Sequence, residues 1–197
     1  MKLTPVRNKF LVFGKPHFDG DEIKEVIDTI KSGWWGTGPK AELFENKFKK
    51  YIGSKYALAV NSATAGLHLA LKVLGVGPGD EVITTPLTFC STVNVIIHCG
   101  AKPVFADVDI KSWNIDPNQI RKKITKRTKV ILPVHLHGRP CNMDEIMRIA
   151  KNTDYILSKT LPMQLKLGIS ERRLGILAIL LFFLFTLPKI SLLVREE

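Results

Sequence analysis

The sequence predicts an α/β fold, a mainly parallel sheet with helices on both faces. Two observations predict it. Short, buried-type apolar runs alternate along the chain with segments of helical period. Clusters of Gly, Pro, Asn and Asp stand between the two kinds of segment, where turns are needed. Strands separated by helices pair in parallel, so helices cover the sheet faces. Ligands of such sheets bind at the carboxyl ends of the strands, in loops that lead into helices.

Each element follows from its residues. Asp21 to Ser32 sets Ile23, Val26, Ile27 and Ile30 on one helical face, and Gly33 stops it. Trp34 to Lys40 has glycine on both sides of Thr37 and then proline, which makes a loop. Ala41 to Tyr51 is helical, with Leu43, Phe44 and Phe48 expected inward and Gly53 ending it. Tyr56 to Val60 is expected to be a short buried strand, turning through Asn61–Thr64 into a helix over Ala65 to Leu74. Strands are expected at Val82–Thr85, Lys102–Asp107 and Lys129–Val134. Helices are expected at Thr92–His98 and Met143–Lys151. Asn114, Asp116 and Pro117 open a further segment that runs to Ile124.

Composition narrows the function classes. The 197 residues fit one domain, and 45% hydrophobic with 24% charged is ordinary for a soluble protein. The formal charge of +11 invites a nucleic-acid reading. The cations are scattered, however, with Lys47, Lys49 and Lys50 in one helix and Arg121 to Arg127 in another stretch. No zinc-finger, RNA-recognition or basic-zipper pattern accompanies them, so no nucleic-acid partner is expected. Cys90, Cys99 and Cys141 are odd in number and lack CxxC spacing. Neither a disulfide nor a metal site is expected, and a reducing cytosol fits. The first eighteen residues lack the apolar run of a signal peptide, so a cytoplasmic location is expected.

The strongest local feature is the expected strand-NSATAG-helix unit, residues 61–66. A helix start presents unpaired N–H groups and a positive dipole end. Small residues at Ala63, Ala65 and Gly66 let an anion approach the backbone, and Ser62 and Thr64 can add hydroxyls. An ordinary Ser N-cap explains the same residues, and the motif alone does not separate the two. Gly75 to Asp80 follow a helix and precede a strand, the reverse of a dinucleotide fingerprint, so they form a helix stop and turn. Phe89 follows a strand and could stack on a flat ring, or fold into the core. His68 lies inside a helix and packs. His135 and His137 end a strand at the ligand edge, where one could face a pocket or both could belong to a plain turn. Trp35, Gly36 and Thr37 form either a substrate loop or a simple connection.

In this order the pieces resemble a known family. The stretch WWGTGPKAELFENKFKKYIGSKYALAVNSATAGLHLALKVLGVGPGDEVITTPLTFCSTVNVI, then GAKPVFADVD, NIDPNQI and KVILPVHLHGRPCNMDEI, is similar to the DegT-type sugar aminotransferases. These are fold-type I enzymes dependent on pyridoxal 5'-phosphate (PLP). The resemblance runs from about Pro5 to Lys151. It implies transfer of an amino group, commonly from glutamate, to a keto group of a nucleotide-linked sugar, by a homodimer whose sites draw on both subunits. It implies that Thr64 and Ala65 hold the PLP phosphate, that Phe89 stacks on the pyridine ring, and that Trp35, Gly36 and Thr37 lie toward substrate. On this view residues 1–153 are the front of a truncated aminotransferase large domain.

Residues 154–197 depart from the family. The resemblance calls for an aspartate on the pyridine nitrogen and a lysine that forms the Schiff base, in motifs resembling IEDAAHA and FSFYPTKNITTGEGG. Neither appears in this frame, so no catalytic residue is assigned and the chain as it stands is expected to be inactive. With synonymous codons chosen freely, codons starting one nucleotide earlier let Leu157–Gln164 encode IEDAAHA. They likewise let Ala178–Glu197 encode DIAFFSFYPTKNITTGEGG. A frameshift between about Asn152 and Leu157 is therefore expected, and Lys189 is not the catalytic lysine. Leu174 to Leu187 is apolar but shorter than the about 20 residues that span a bilayer. Other readings are a membrane-associated fragment carried by that run, a basic nucleic-acid binder, and a PLP-dependent sugar dehydratase, in which histidine replaces the lysine.

Overall fold

A computed structural model describes residues 18–51, 54 and 56–151 with their side chains, and the backbone of 52, 156–157, 160–162 and 180–182. These residues fall into two compact units, one reaching Ala57 and one starting at Leu58.

The first unit holds α1 (Gly20–Ser32) and α2 (Pro39–Ile52). Asp19 and Glu22 close a capping box at the start of α1, satisfying amides that a helix start leaves open. Gly33, at φ 75°, ends it in the left-handed region that glycine tolerates. Lys40 of α2 pairs with Glu25 of α1. Phe44 and Phe48 face one another at 5.9 Å and are half-buried, whereas Leu43, expected inward, is 50% exposed.

The second unit is the expected α/β body. It contains α3 (Ala63–Val73), β1 (Glu81–Thr84), α4 (Ser91–His98), β2 (Lys102–Phe105), α5 (Pro117–Lys123), β3 (Thr128–Leu132), α6 (Met143–Lys151), β4 (Ile156–Leu157), β5 (Thr160–Pro162) and β6 (Leu180–Phe182). The strand order is β2-β1-β3-β4, every pair is parallel, and β5 pairs with β6 in a separate ribbon.

Strand alternation divides the core between the two faces. Val82, Val130 and Leu132 pack with Leu67 and Leu71 of α3 and Val95 and Ile96 of α4. Ile83 and Ile131 point the other way, into a cluster with Ile120 of α5 and Met143, Ile146 and Ile149 of α6. Each such side chain, fully buried, contributes about 1.5–3 kcal/mol.

At the amino edge of the sheet Glu81 is 2% exposed. It accepts from Thr125 Oγ1 at 2.6 Å and Arg127 Nη2 at 2.9 Å, with Lys102 Nζ at 3.7 Å. The Thr125 hydrogen bond, ahead of the neighbouring cations, holds its carboxyl below the usual range despite burial.

One expected element is missing. Tyr56–Val60 is not a strand, and Tyr56 and Leu58 are each 77% exposed. A strand needs a neighbour to take its backbone groups, and no described strand pairs with this segment. The apolar run Leu174–Leu187 lies outside the described residues apart from the β6 backbone. No helix among the described residues is long and apolar enough to cross a membrane.

Candidate functional site

The carboxyl edge of the sheet and the start of α3 carry the candidate site. Ser62 is extended, at φ −157°, and its hydroxyl accepts from the Ala65 amide at 3.1 Å. Its carbonyl takes the Gly66 amide, the first bond of the helix. The Ser N-cap is thus present. It uses the Ala65 amide, and the amides of Ala63 and Thr64, in the first turn, have no partner within the helix. Thr64 and Ala65 are half-buried, and Ala63 and Gly66 are buried.

Phe89 lies in the loop between β1 and α4 and is 70% exposed. Its carbonyl accepts the Thr92 amide, and Thr88 and Thr92 share a hydroxyl hydrogen bond of 2.8 Å that braces the loop. The aromatic does not fold into the core, which leaves its face open to a flat ring. Helix α3 packs against α4, and α4 packs on β1 and β2. Ser91, one residue past Cys90, is 5% exposed, and its hydroxyl has no hydrogen-bond partner among the described residues.

Histidines 135 and 137 follow β3 at the same edge. His135 is buried, and its Nδ1 accepts from the Cys141 amide at 3.0 Å. That bond gives it a structural place in the turn. His137 is exposed and left-handed, at φ 51°. His68 packs edge-on against His98 at 6.1 Å, as its helical position predicts. Cys141 is buried, which pushes its thiol up to about 12. Cys99 is also buried and Cys90 is exposed, and all three are free thiols.

In the first unit, Trp35 is 79% exposed and its indole donates to the Ile30 carbonyl at 3.2 Å. Gly36 and Thr37 are exposed beside it. Gly38 lets the Trp34 ring lie against the backbone, where an added Cβ would meet the ring at 2.7 Å.

The fold is shared with part of the PLP-dependent aminotransferases. The profile of the DegT/DnrJ/EryC1/StrS aminotransferase family matches residues 16–178, and this chain belongs to that family. The match runs past residue 153, beyond the boundary expected from the sequence. The chain is 53% identical over 146 residues to spore coat polysaccharide biosynthesis protein SpsC of Bacillus subtilis, covering 74% of this chain and 38% of that protein. It is 48% identical over 139 residues to the UDP-4-amino-4-deoxy-L-arabinose–oxoglutarate aminotransferase of Shewanella sediminis, covering 71% and 36%. Among solved structures, the PLP form of Spr1654 from Streptococcus pneumoniae superposes with a TM-score of 0.70 at 40% identity, over 75% of this chain and 38% of that one. The same protein is solved in its pyridoxamine phosphate (PMP) form. The chain thus spans less than two fifths of the length of these relatives.

Proposed function

We propose that this chain is the cofactor-holding front of a PLP-dependent aminotransferase acting on a nucleotide-linked keto-sugar in the cytoplasm, with an amino donor such as glutamate. The observation that carries it is a helix start with two open amides and small residues, in a chain of this family that also presents the exposed Phe89 at the carboxyl edge of its sheet. These residues fit the cofactor. The Ala63 and Thr64 amides, with the Thr64 hydroxyl and the close approach allowed at Ala65, would hold its phosphate. Phe89 would cover one face of its ring and keep water from it. Bound there, the cofactor supplies an electron sink. Trp35, Gly36 and Thr37 would lie toward the sugar substrate, and the family's homodimer would be compromised in this truncated chain.

In this frame the 197 residues bind cofactor but do not transfer an amino group, because the lysine and aspartate codons are out of step. The coding DNA tests this. A single shift between codons 152 and 157 should restore both motifs, and the restored protein should aminate a nucleotide-linked keto-sugar from glutamate while the 197-residue chain does not. Amino transfer by the unrestored chain, or a locus that no single shift repairs, counts against it.

A further inference from the structure

Two loops at the carboxyl edge of the sheet are tied together by one buried side chain. Asn114 is 2% exposed and sits in the loop after β2. Its Oδ1 accepts from the Leu136 amide at 3.0 Å, and its Nδ2 donates to the Arg139 carbonyl at 3.0 Å. Both partners belong to the turn after β3. Arg139 answers by donating from Nη1 to the Lys111 carbonyl at 2.9 Å. Strand β1 lies between β2 and β3. The bridge therefore joins the loops that follow the two strands flanking β1, whose own loop carries Phe89. Its neighbours Ile115 and Cys141 place it on the α5/α6 side.

The bridge also holds two residues in an unfavourable conformation. Trp113, at φ 61°, precedes Asn114, and His137, at φ 51°, lies between the two residues that Asn114 grips. Side chains other than glycine adopt this region at a cost, and they persist there only where the surroundings impose it. His137 is followed by Gly138 at φ 80°, so the turn is left-handed at two consecutive positions. Both Asn114 bonds are made to backbone atoms on either side of His137. The side chain is therefore shaped to fix that turn and to serve no ligand itself.

We propose that Asn114 is a positioning residue of the cofactor site: it holds the 135–139 turn in its left-handed form and so sets the wall beside the Phe89 loop. This rests on the cofactor reading above. The probe is PMP, which carries no aldehyde and so binds without any lysine. Titrated into the full-length chain, it should bind saturably. Asn114→Ala should weaken that binding about tenfold, in the range of couplings within one hydrogen-bond network. In a His137→Gly background, where the turn costs nothing, the same substitution should weaken binding by less than about threefold. A merely structural Asn114 would lose the same factor in both backgrounds. Equal losses, or no loss at all, overturn the proposal while leaving the cofactor site standing. Failure of the folded parent chain to bind PMP overturns the site and this proposal together. Asn114→Asp keeps the acceptor for Leu136 and loses the donor to Arg139. It gives the same comparison of backgrounds should the alanine variant not fold.

Discussion

Helix α6 buries Met143, Ile146, Ile149 and Ala150 against the sheet, whereas α1 leaves Ile23, Val26, Ile27 and Ile30 between 43% and 59% exposed. The two helices share an amphipathic spacing, acidic residues in the first turn and a basic residue in the last. Periodicity and end chemistry therefore make both helices. What differs is the neighbour. Helix α6 follows a strand of the sheet and folds back onto it, while α1 is paired with α2 through the Lys40–Glu25 contact at its polar side. An apolar stripe states that a helix has a face to bury, and only the tertiary partner decides whether it is buried.

The largest effect that separates the two regions comes from truncating matched residues. Ile146→Ala, at a fully buried position, should cost about 2–5 kcal/mol in urea unfolding. A cost as small as that of a surface change would mean α6 is not packed as described. Next is the amino edge of the buried sheet. The Glu81 carboxyl is held below its ordinary range, so its stabilisation is present above that range and is lost as pH falls through the lowered native value. The melting temperatures of the parent chain and Glu81→Gln should converge below about pH 4. A gap that persists at the lowest pH would remove Glu81 from the account. The caps give a smaller effect. Asp116 starts α5 by accepting the Asn118 amide at 2.8 Å, and Asp116→Ala should cost about 1 kcal/mol. Smallest is Ile27→Ala in α1, which should change stability by no more than about 0.5 kcal/mol. A larger loss would show that the α1 face is covered in solution.

Much of the second unit was legible because alternation of period reports local geometry directly. The strands Glu81–Thr84 and Thr128–Leu132 and the helices α3, α4 and α6 lie within a residue or two of their expected bounds. Asp116 and Pro117 were expected only as turn formers, but they start helix α5, where Asp116 caps and Pro117 supplies a preset φ. Tyr56–Val60 misled because its apolar, β-forming residues carry no information about a pairing partner. At the site, NSATAG announced a helix start, but the sequence posed cap and anion site as rivals. The structure places the cap on the Ala65 amide, and the anion reading calls on the other amides of the same helix start. The role of Asn114 was not legible beyond turn formation, since its two bonds reach 22 and 25 residues along the chain. Nor could sequence spacing show that Ser91, just past Phe89, buries a hydroxyl with no partner among the described residues.

The central claim is that the helix start at Ala63–Thr64 and the exposed Phe89 form one cofactor site. An equilibrium titration of the 197-residue protein with PMP, followed by its fluorescence with and without excess inorganic phosphate, tests it most directly. The account predicts one saturable site, weakened by phosphate, by Thr64→Val and by Phe89→Ala. A folded protein that shows no saturable binding, or binding indifferent to phosphate and to both substitutions, contradicts it.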